Sequence, residues 1–364
     1  MIKYISIFIL IFSLFQLFIS LINWLFRVRL NKEPEYNTET KISILIPARD
    51  EEKNIGNLLK DLTNSNQVVS EILVFDDESC DNTAKIVKEY SLKDSRIKLI
   101  ESNGLEKEWM GKNFACHNLS TIAKSDYILF IDSDVRIKND IIEKALNYAI
   151  SKKLDLLSVF PYQIMITKGE KISITNMNFI LLSLLALPLV LYSKFSSISA
   201  ANGQFMLFKA NTYKDIQPHK LFKTSKAEDI EISRYYKKKK LRIACLASVK
   251  DISCRMYNSL EESIQGFSKN VNYFFGNSYI IAVLFWLTTS FGFIPLIIMG
   301  NYYLLLVYLI IILITRVLIS ITSNQRVGEN LIYLFHQQFI LGKIILKSIQ
   351  NKRNRELKWK GRAI

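Results

Sequence analysis

The segment Ile128–Ile137, ILFIDSDVRI, runs four apolar residues straight into two aspartates separated by one serine. A run this apolar reads as a central strand of a sheet covered on both faces. The C-terminal end of such a strand is where open α/β sheets hold their ligands. Asp132 and Asp134 at that end repel each other unless something positive lies between them. A divalent metal or a nearby Lys or Arg meets that need. Asp and Ser are also ordinary turn residues, so a strand-ending turn competes as the reading of this fragment alone.

The same plan recurs upstream. KISILIPARDEEKNIGNLLKDL gives a strand over Ile42–Ile46 that breaks at Pro47, then a helix after Asp50 with Ile55, Leu58, Leu59 and Leu62 at helical spacing. SEILVFDDESCDNTAKIVKEY gives a strand over Ile72–Phe75, an Asp76-Asp77-Glu78-Ser79 loop and a helix over Thr83–Tyr90. RIKLIES is a third strand and GKNFACHNLSTIA a further helix. Alternating strands and helices imply an α/β fold with parallel pairing and right-handed crossovers. Each strand ends in acidic or polar residues, which places a binding site along one sheet edge.

No G-x-G-x-x-G or G-K-[ST] follows a strand, so a phosphate here is not held in a glycine cradle. An acidic edge suits a nucleotide's base and ribose, with the diphosphate held through a metal. Lys112, at the start of a helix after Gly111, can add a cation and the helix N-terminal dipole. The competing reading of Lys112 is a solvated helix lysine. Likewise Glu228 and Asp229 in KAEDIEIS can be a helix start whose acids merely complement the dipole. His117, on the helix after Lys112, needs no function, whereas His219, after Pro218, can sit near a bound substrate but as a lone histidine reads as structural.

A net charge of +15 accompanies a positive mean hydropathy of +0.15. Basic and apolar together point to an anionic membrane surface and away from nucleic acid. Residues 4–26 carry no charge and suffice for one span, with Trp24 at the interface and Arg27, Arg29 and Lys32 on the cytoplasmic side. A secretory signal would need a shorter apolar core and a small-residue cleavage site. From Asn270 to Thr315 no residue is charged, which predicts a helical hairpin, Tyr279–Met299 and Tyr302–Ser320, broken around Pro295 and Met299-Gly300-Asn301. One entry and one hairpin leave the globular region and the basic tail (Lys347, Lys352, Arg353, Arg355, Lys358, Lys360, Arg362) on the same, cytoplasmic side of the cell membrane.

The expected organisation is an anchor at 1–28, a catalytic domain at 38–268 with an interfacial helix at about 172–193, a hairpin at 279–321, and an interfacial helix and basic tail at 322–364. The apolar run Leu331–Leu346 is interrupted by His336, Gln337, Gln338 and Lys343 and reads as interfacial. Cys80, Cys116, Cys245 and Cys254 show no metal-type spacing and read as reduced thiols.

Four motifs in order, ILIPARDEEKNI, EILVFDDESCDNT, FIDSDV and KAEDIEISRYYKKKKLRI, resemble the inverting glycosyltransferases of family 2, which have a GT-A fold and use nucleotide sugars. EWMGKNFACHNL, ANGQFMLFKANTY, QGFSKN and WKGR resemble membrane-bound lipid, carotenoid or hopanoid-type members. The resemblance implies a nucleoside pocket lined by Pro47, Ala48, Arg49 and Glu51 or Glu52, with Asp76 on the uracil edge of a UDP-sugar. It implies Asp132 at ribose or metal, Asp134 on Mg²⁺ or Mn²⁺, and Lys112 near the diphosphate. Asp229, behind Glu228, would be the general base, and Arg234 a phosphate or structural partner. Asn202, Gly203, Gln204 and Gln265 would lie on the acceptor side. Processive members carry Q-x-x-R-W, whereas here Gln265 is followed by Gly266-Phe267-Ser268-Lys269, which favours transfer of single sugars. The implied acceptor is a carotenoid, terpenoid or polyprenyl lipid. Transfer to polyprenyl phosphate, or non-enzymatic nucleotide-sugar binding, are the alternatives.

Overall fold

The computed structural model describes residues 1–30, 39–64, 68–354, 358–359 and 362–363. Lys32, Arg355, Lys360 and Gly361, the last two the centre of WKGR, lie outside them. An eight-stranded sheet runs in the order β3-β2-β1-β4-β7-β6-β8-β5. The strands are β1 Ile42–Ala48, β2 Val69–Asp76, β3 Ile97–Glu101, β4 Tyr127–Ile131, β5 Val135–Ile137, β6 Leu156–Gln163, β7 Phe205–Lys209 and β8 Ile243–Cys254. Strands β3, β2, β1 and β4 pair in parallel, as alternation with helices requires.

Beyond β4 the sheet turns mixed. β7 lies antiparallel to β4 and to β6, β8 is parallel to β6, and β5 is antiparallel to β8. Period-two alternation sends Leu45, Leu73 and Phe130 to one face and Ile44, Ile46, Ile72, Val74, Leu129 and Ile131 to the other, and both faces are covered by core. β1 continues through Pro47 rather than stopping there. β4 pairs only with Ile42–Leu45, so on that side the missing N–H of Pro47 breaks no ladder bond.

Ile2–Leu25 and Tyr302–Thr322 are long and apolar enough to cross a membrane. The other expected hairpin arm is two helices, Tyr279–Phe291 and Phe293–Ile298, meeting at Gly292. A Cβ there would come within 2.5 Å of the Thr288 carbonyl and 2.7 Å of the Tyr308 hydroxyl. The break therefore lets the arm pack closely on its neighbours. The helix Leu260–Asn270, with the turn that follows, meets Tyr279–Phe291 at a bend of 99°.

The expected single interfacial helix at 172–193 is also divided, into Lys168–Ser173, Thr175–Leu184 and Pro188–Tyr192. Extended Leu185 and the proline at the start of the third helix cause the division. The middle helix does not lie free on a surface; it packs on the N-terminal helix. Asn23 donates to the carbonyls of Leu182 (3.0 Å) and Leu185 (2.8 Å) and accepts from the Leu187 amide (2.8 Å). Gln16 adds a bond to Ser183. The apolar run 331–346 is split, its first residues ending the helix Val327–Ile332 and its remainder opening the helix Leu334–Asn354, which buries Leu341, Ile344 and Ile345.

Asn23→Leu removes the bonds to three backbone groups at a helix break and leaves the Leu182 carbonyl the bond from the Ser20 hydroxyl (3.3 Å). It should cost about 1–3 kcal/mol, read as a lower apparent unfolding temperature in detergent, with Ser20→Ala changing it less.

Candidate active site

The C-terminal ends of β1, β2 and β4 open onto one cavity of about 820 Å³. The tight turn after β4 sets Asp132 and Asp134 on its wall, and the loop before β7 brings Asn202, Gly203 and Gln204 opposite them. Glu228 and Asp229 start the helix Glu228–Lys238. That start is tied to the Lys112 helix, Gly111–Ile122. Asn113 donates to the carbonyls of Phe222 (2.9 Å) and Ser225 (3.0 Å), and the Met110 amide donates to Lys223 (2.8 Å). The motifs of the first and second halves of the domain therefore meet through the Lys112 helix.

Lys112 joins them. Its ammonium lies 2.8 Å from Asp132 Oδ1 and 3.5 Å from Glu228 Oε1, and donates to the Gly203 carbonyl at 3.4 Å. Burial disfavours the charged ammonium, but the Asp132 and Glu228 carboxylates outweigh it and push its pKa well above the ordinary lysine range. Gly203 leaves room for these contacts. A Cβ would meet Lys112 Nζ at 3.0 Å and Glu228 Oε1 at 3.3 Å.

One lysine does not neutralise four carboxyls. Burial, then the Glu228 charge, push Asp229 up to about 7, even though its oxygens accept from the amides of Gly203 (2.9 Å) and Ile230 (2.8 Å). Burial, then the Asp132 charge, push Asp134 up to about 7 as well. Asp134 Oδ1 is buried without a hydrogen-bond partner. An orphaned carboxylate oxygen beside a second carboxylate fits a divalent cation. Among the described residues no group of three or more His, Cys, Asp or Glu converges, so such a cation would take its remaining ligands from phosphate and water.

Pro47, Ala48, Arg49, Glu51, Lys112, Asp132, Asp134, Asn202, Gly203, Gln204, Glu228, Asp229 and Gln265 all line this cavity. Asp76 and Arg234 do not. Asp76 is buried at the end of β2, where it accepts from the Ser79 amide (3.4 Å), and the wall residue is its neighbour Asp77. Arg49 donates to the Asp77 carbonyl. Arg234 donates to the Tyr273 carbonyl at 3.1 Å. His219 is buried against Phe130, Phe208 and Tyr213, with its pKa pushed down to about 3 by burial, and is a neutral core histidine. Missed from the sequence were Lys226 and the apolar wall residues Phe160, Met177 and Phe274. Lys226 had only its proximity to a motif as a signal, and the others had none, because β6, the helix Thr175–Leu184 and the turn Val271–Phe275 come together only in the fold.

Residues 43–217 match the family model described as glycosyl transferase family 2. The chain carries a family 2 glycosyltransferase domain. It is 29% identical to the 4,4'-diaponeurosporenoate glycosyltransferase of Staphylococcus haemolyticus over 251 residues, 66% of this chain and 64% of that protein. A protein of the same name from Staphylococcus aureus (strain USA300) is 35% identical over 125 residues, 34% of this chain and 32% of that protein. The chain thus matches under two thirds of the length of these relatives. Among solved structures, a mannosyltransferase from Pyrobaculum calidifontis in complex with GDP-Man and Mn²⁺ superposes with a TM-score of 0.59 at 13% identity, covering 98% of this chain and all of that one. That likeness establishes the GT-A fold.

Gly203→Ala would displace Lys112 by a few tenths of an ångström. Turnover should fall roughly tenfold, while the unfolding temperature followed by circular dichroism stays within about 2 °C.

Proposed function

We propose that this protein is a membrane-bound inverting glycosyltransferase that moves one sugar from a nucleoside diphosphate sugar, UDP-linked, to an apolar lipid acceptor of carotenoid or related terpenoid type. The observation that carries this reading is the convergence of the Asp132/Asp134 and Glu228/Asp229 pairs on one cavity, with Lys112 between them. The names of the relatives point to the acceptor class. With two helices suited to crossing a bilayer, the donor comes to the membrane rather than the lipid leaving it. The cost of extracting a lipid, about 0.8 kcal/mol per CH₂, favours that arrangement.

In this reading Arg49 and its neighbours hold the nucleoside at the end of β1. Asp132 and Asp134 would hold Mg²⁺ or Mn²⁺, which when bound supplies Lewis-acid stabilisation of the leaving diphosphate. Lys112 fixes Asp132 and Glu228 in place and adds positive potential along the path of the leaving group. The acceptor oxygen attacks the anomeric carbon from the face opposite the diphosphate. The new C–O bond forms as the carbon–phosphate-oxygen bond breaks, and the nucleoside diphosphate leaves with the electron pair. When the acceptor is an alcohol, Asp229 takes its proton. When the acceptor is already ionised, Asp229 orients it. Polyprenyl phosphate is a second reading, favoured by two cations of the cavity wall, Arg255 and Lys269. With the broken arm, Tyr279–Phe291 and Phe293–Ile298, completing a hairpin with Tyr302–Thr322, the catalytic domain and basic tail both face the cytoplasm, on the cell membrane.

Purified membranes given radiolabelled UDP- and GDP-sugars should incorporate label into the organic phase with UDP-sugar, and EDTA should abolish it. Asp229→Asn should cut turnover about 100-fold with an alcohol acceptor, and less with an ionised one. For an alcohol, turnover should rise with pH through about 7, because the carboxyl pushed up to about 7 must lose its proton to act, and Asp229→Asn should flatten that limb. UDP binding without transfer to any lipid would sink the acceptor assignment.

A further inference from the structure

A second cavity, of about 330 Å³, shares no lining residue with the active site and lies where the helices Ile2–Leu25 and Tyr302–Thr322 end beside β8. Three cations line it: Arg27 and Arg29 from the chain leaving the first helix, and Lys250 from β8. Among the described residues no Asp or Glu lines it, and none of these cations makes an ion pair. The acid next in sequence, Asp251, is engaged elsewhere, accepting from the Asn139 amide at 2.8 Å.

Backbone carbonyls hold the cluster in place. Arg27 donates to the carbonyls of Ile321 (3.1 Å) and Ser248 (2.9 Å), and Asn324 donates to Ser248 as well (2.7 Å). The ends of both long helices are thereby tied to β8. These bonds use the two terminal nitrogens of Arg27 and leave its Nε buried without a hydrogen-bond partner. Capping of a helix end explains Arg27 alone. It does not explain why Arg29 and Lys250 share the same cavity. Burial, then the Arg29 charge, lower the Arg27 pKa, and an anion among the three offsets that repulsion.

Location names the anion. Both helices are long and apolar enough to cross a membrane, so a cavity at their shared end lies at headgroup depth. Val28 and Val249 add apolar wall, which suits the glycerol and first methylenes of a lipid better than a hydrated free ion. Basic pockets between spans bind anionic head groups, and a guanidinium offers phosphate two parallel donors. Resting on the membrane placement given above but not on the transfer chemistry, we infer that Arg27, Arg29 and Lys250 form a site for the phosphate of an anionic phospholipid. β8 runs on to Cys254, and Arg255, Met256 and Tyr257 after it line the active cavity. A lipid bound here pins that strand to the bilayer surface.

The test uses the full chain in detergent and native mass spectrometry at constant ionic strength, titrating dioleoyl phosphatidylglycerol or dioleoyl phosphatidylcholine. Wild type should bind the first phosphatidylglycerol about tenfold tighter than the first phosphatidylcholine. Arg29→Gln/Lys250→Gln should bring the two within about twofold. Both replaced side chains are exposed, so the circular dichroism unfolding curve should not change. Lys85→Gln/Lys93→Gln removes the same charge beside β3, at the opposite edge of the sheet, and should keep the preference. Equal binding of the two lipids by wild type overturns the inference. So does a preference that survives Arg29→Gln/Lys250→Gln, or one that Lys85→Gln/Lys93→Gln also erases, which would reduce it to net charge. Displacement of phosphatidylglycerol by excess inorganic phosphate would make this a soluble-phosphate site and overturn the lipid assignment. Selective phosphatidylglycerol binding by a protein that transfers no sugar would uphold this site and refute only the transferase reading.

Discussion

Four carboxyl groups, Asp132, Asp134, Glu228 and Asp229, gather around the Lys112 ammonium on the wall of a single cavity, and the rest of the architecture serves to keep them there. Lys112 is the hinge of that arrangement. It pairs with Asp132 from the turn after β4 and approaches Glu228 from a helix nearly a hundred residues later in the chain. A lysine this buried is tolerable only because two carboxylates face it, and they in turn depend on it. The remaining charge is not cancelled. Asp134 and Asp229 respond by rising to about 7, each pushed first by burial and then by an acidic neighbour. A site poised this way gains from any cation that enters beside Asp134, and it holds a second carboxyl ready to exchange a proton near neutrality.

The apolar part of the chain shapes the other half of the cavity. The helix Thr175–Leu184 is clamped to the N-terminal helix through Asn23 and Gln16, while the segment around it contributes Ile174 and Met177 to the cavity wall. The N-terminal helix is thereby more than a tether, because it supports a wall of the site. Gly292 performs a similar service where the helices Tyr279–Phe291 and Phe293–Ile298 meet Tyr308. The polar and apolar walls of the cavity thus form one continuous packed unit.

Much of the parallel half of the sheet was legible in the sequence. Apolar runs that end on Asp or Arg identify β1, β2 and β4, and local order suffices because parallel βαβ units are built from neighbours in the chain. The mixed half was not legible, since β7 reaches β4 only through an antiparallel pairing across some seventy residues. Division of the 172–193 run was hidden because hydrophobicity measures burial without saying whether lipid or protein does the burying. Asp76 and Asp77 differ by one position, and the strand's alternation turned the second toward the cavity.

The most direct test of the account is the metal dependence of nucleotide binding, measured by titrating UDP into the purified protein with Mn²⁺ or with EDTA, for wild type and Asp134→Asn. The account predicts that wild type needs Mn²⁺ for tight binding and that Asp134→Asn loses the metal-dependent part by tenfold or more. UDP binding of equal strength with EDTA, or in Asp134→Asn, would contradict it.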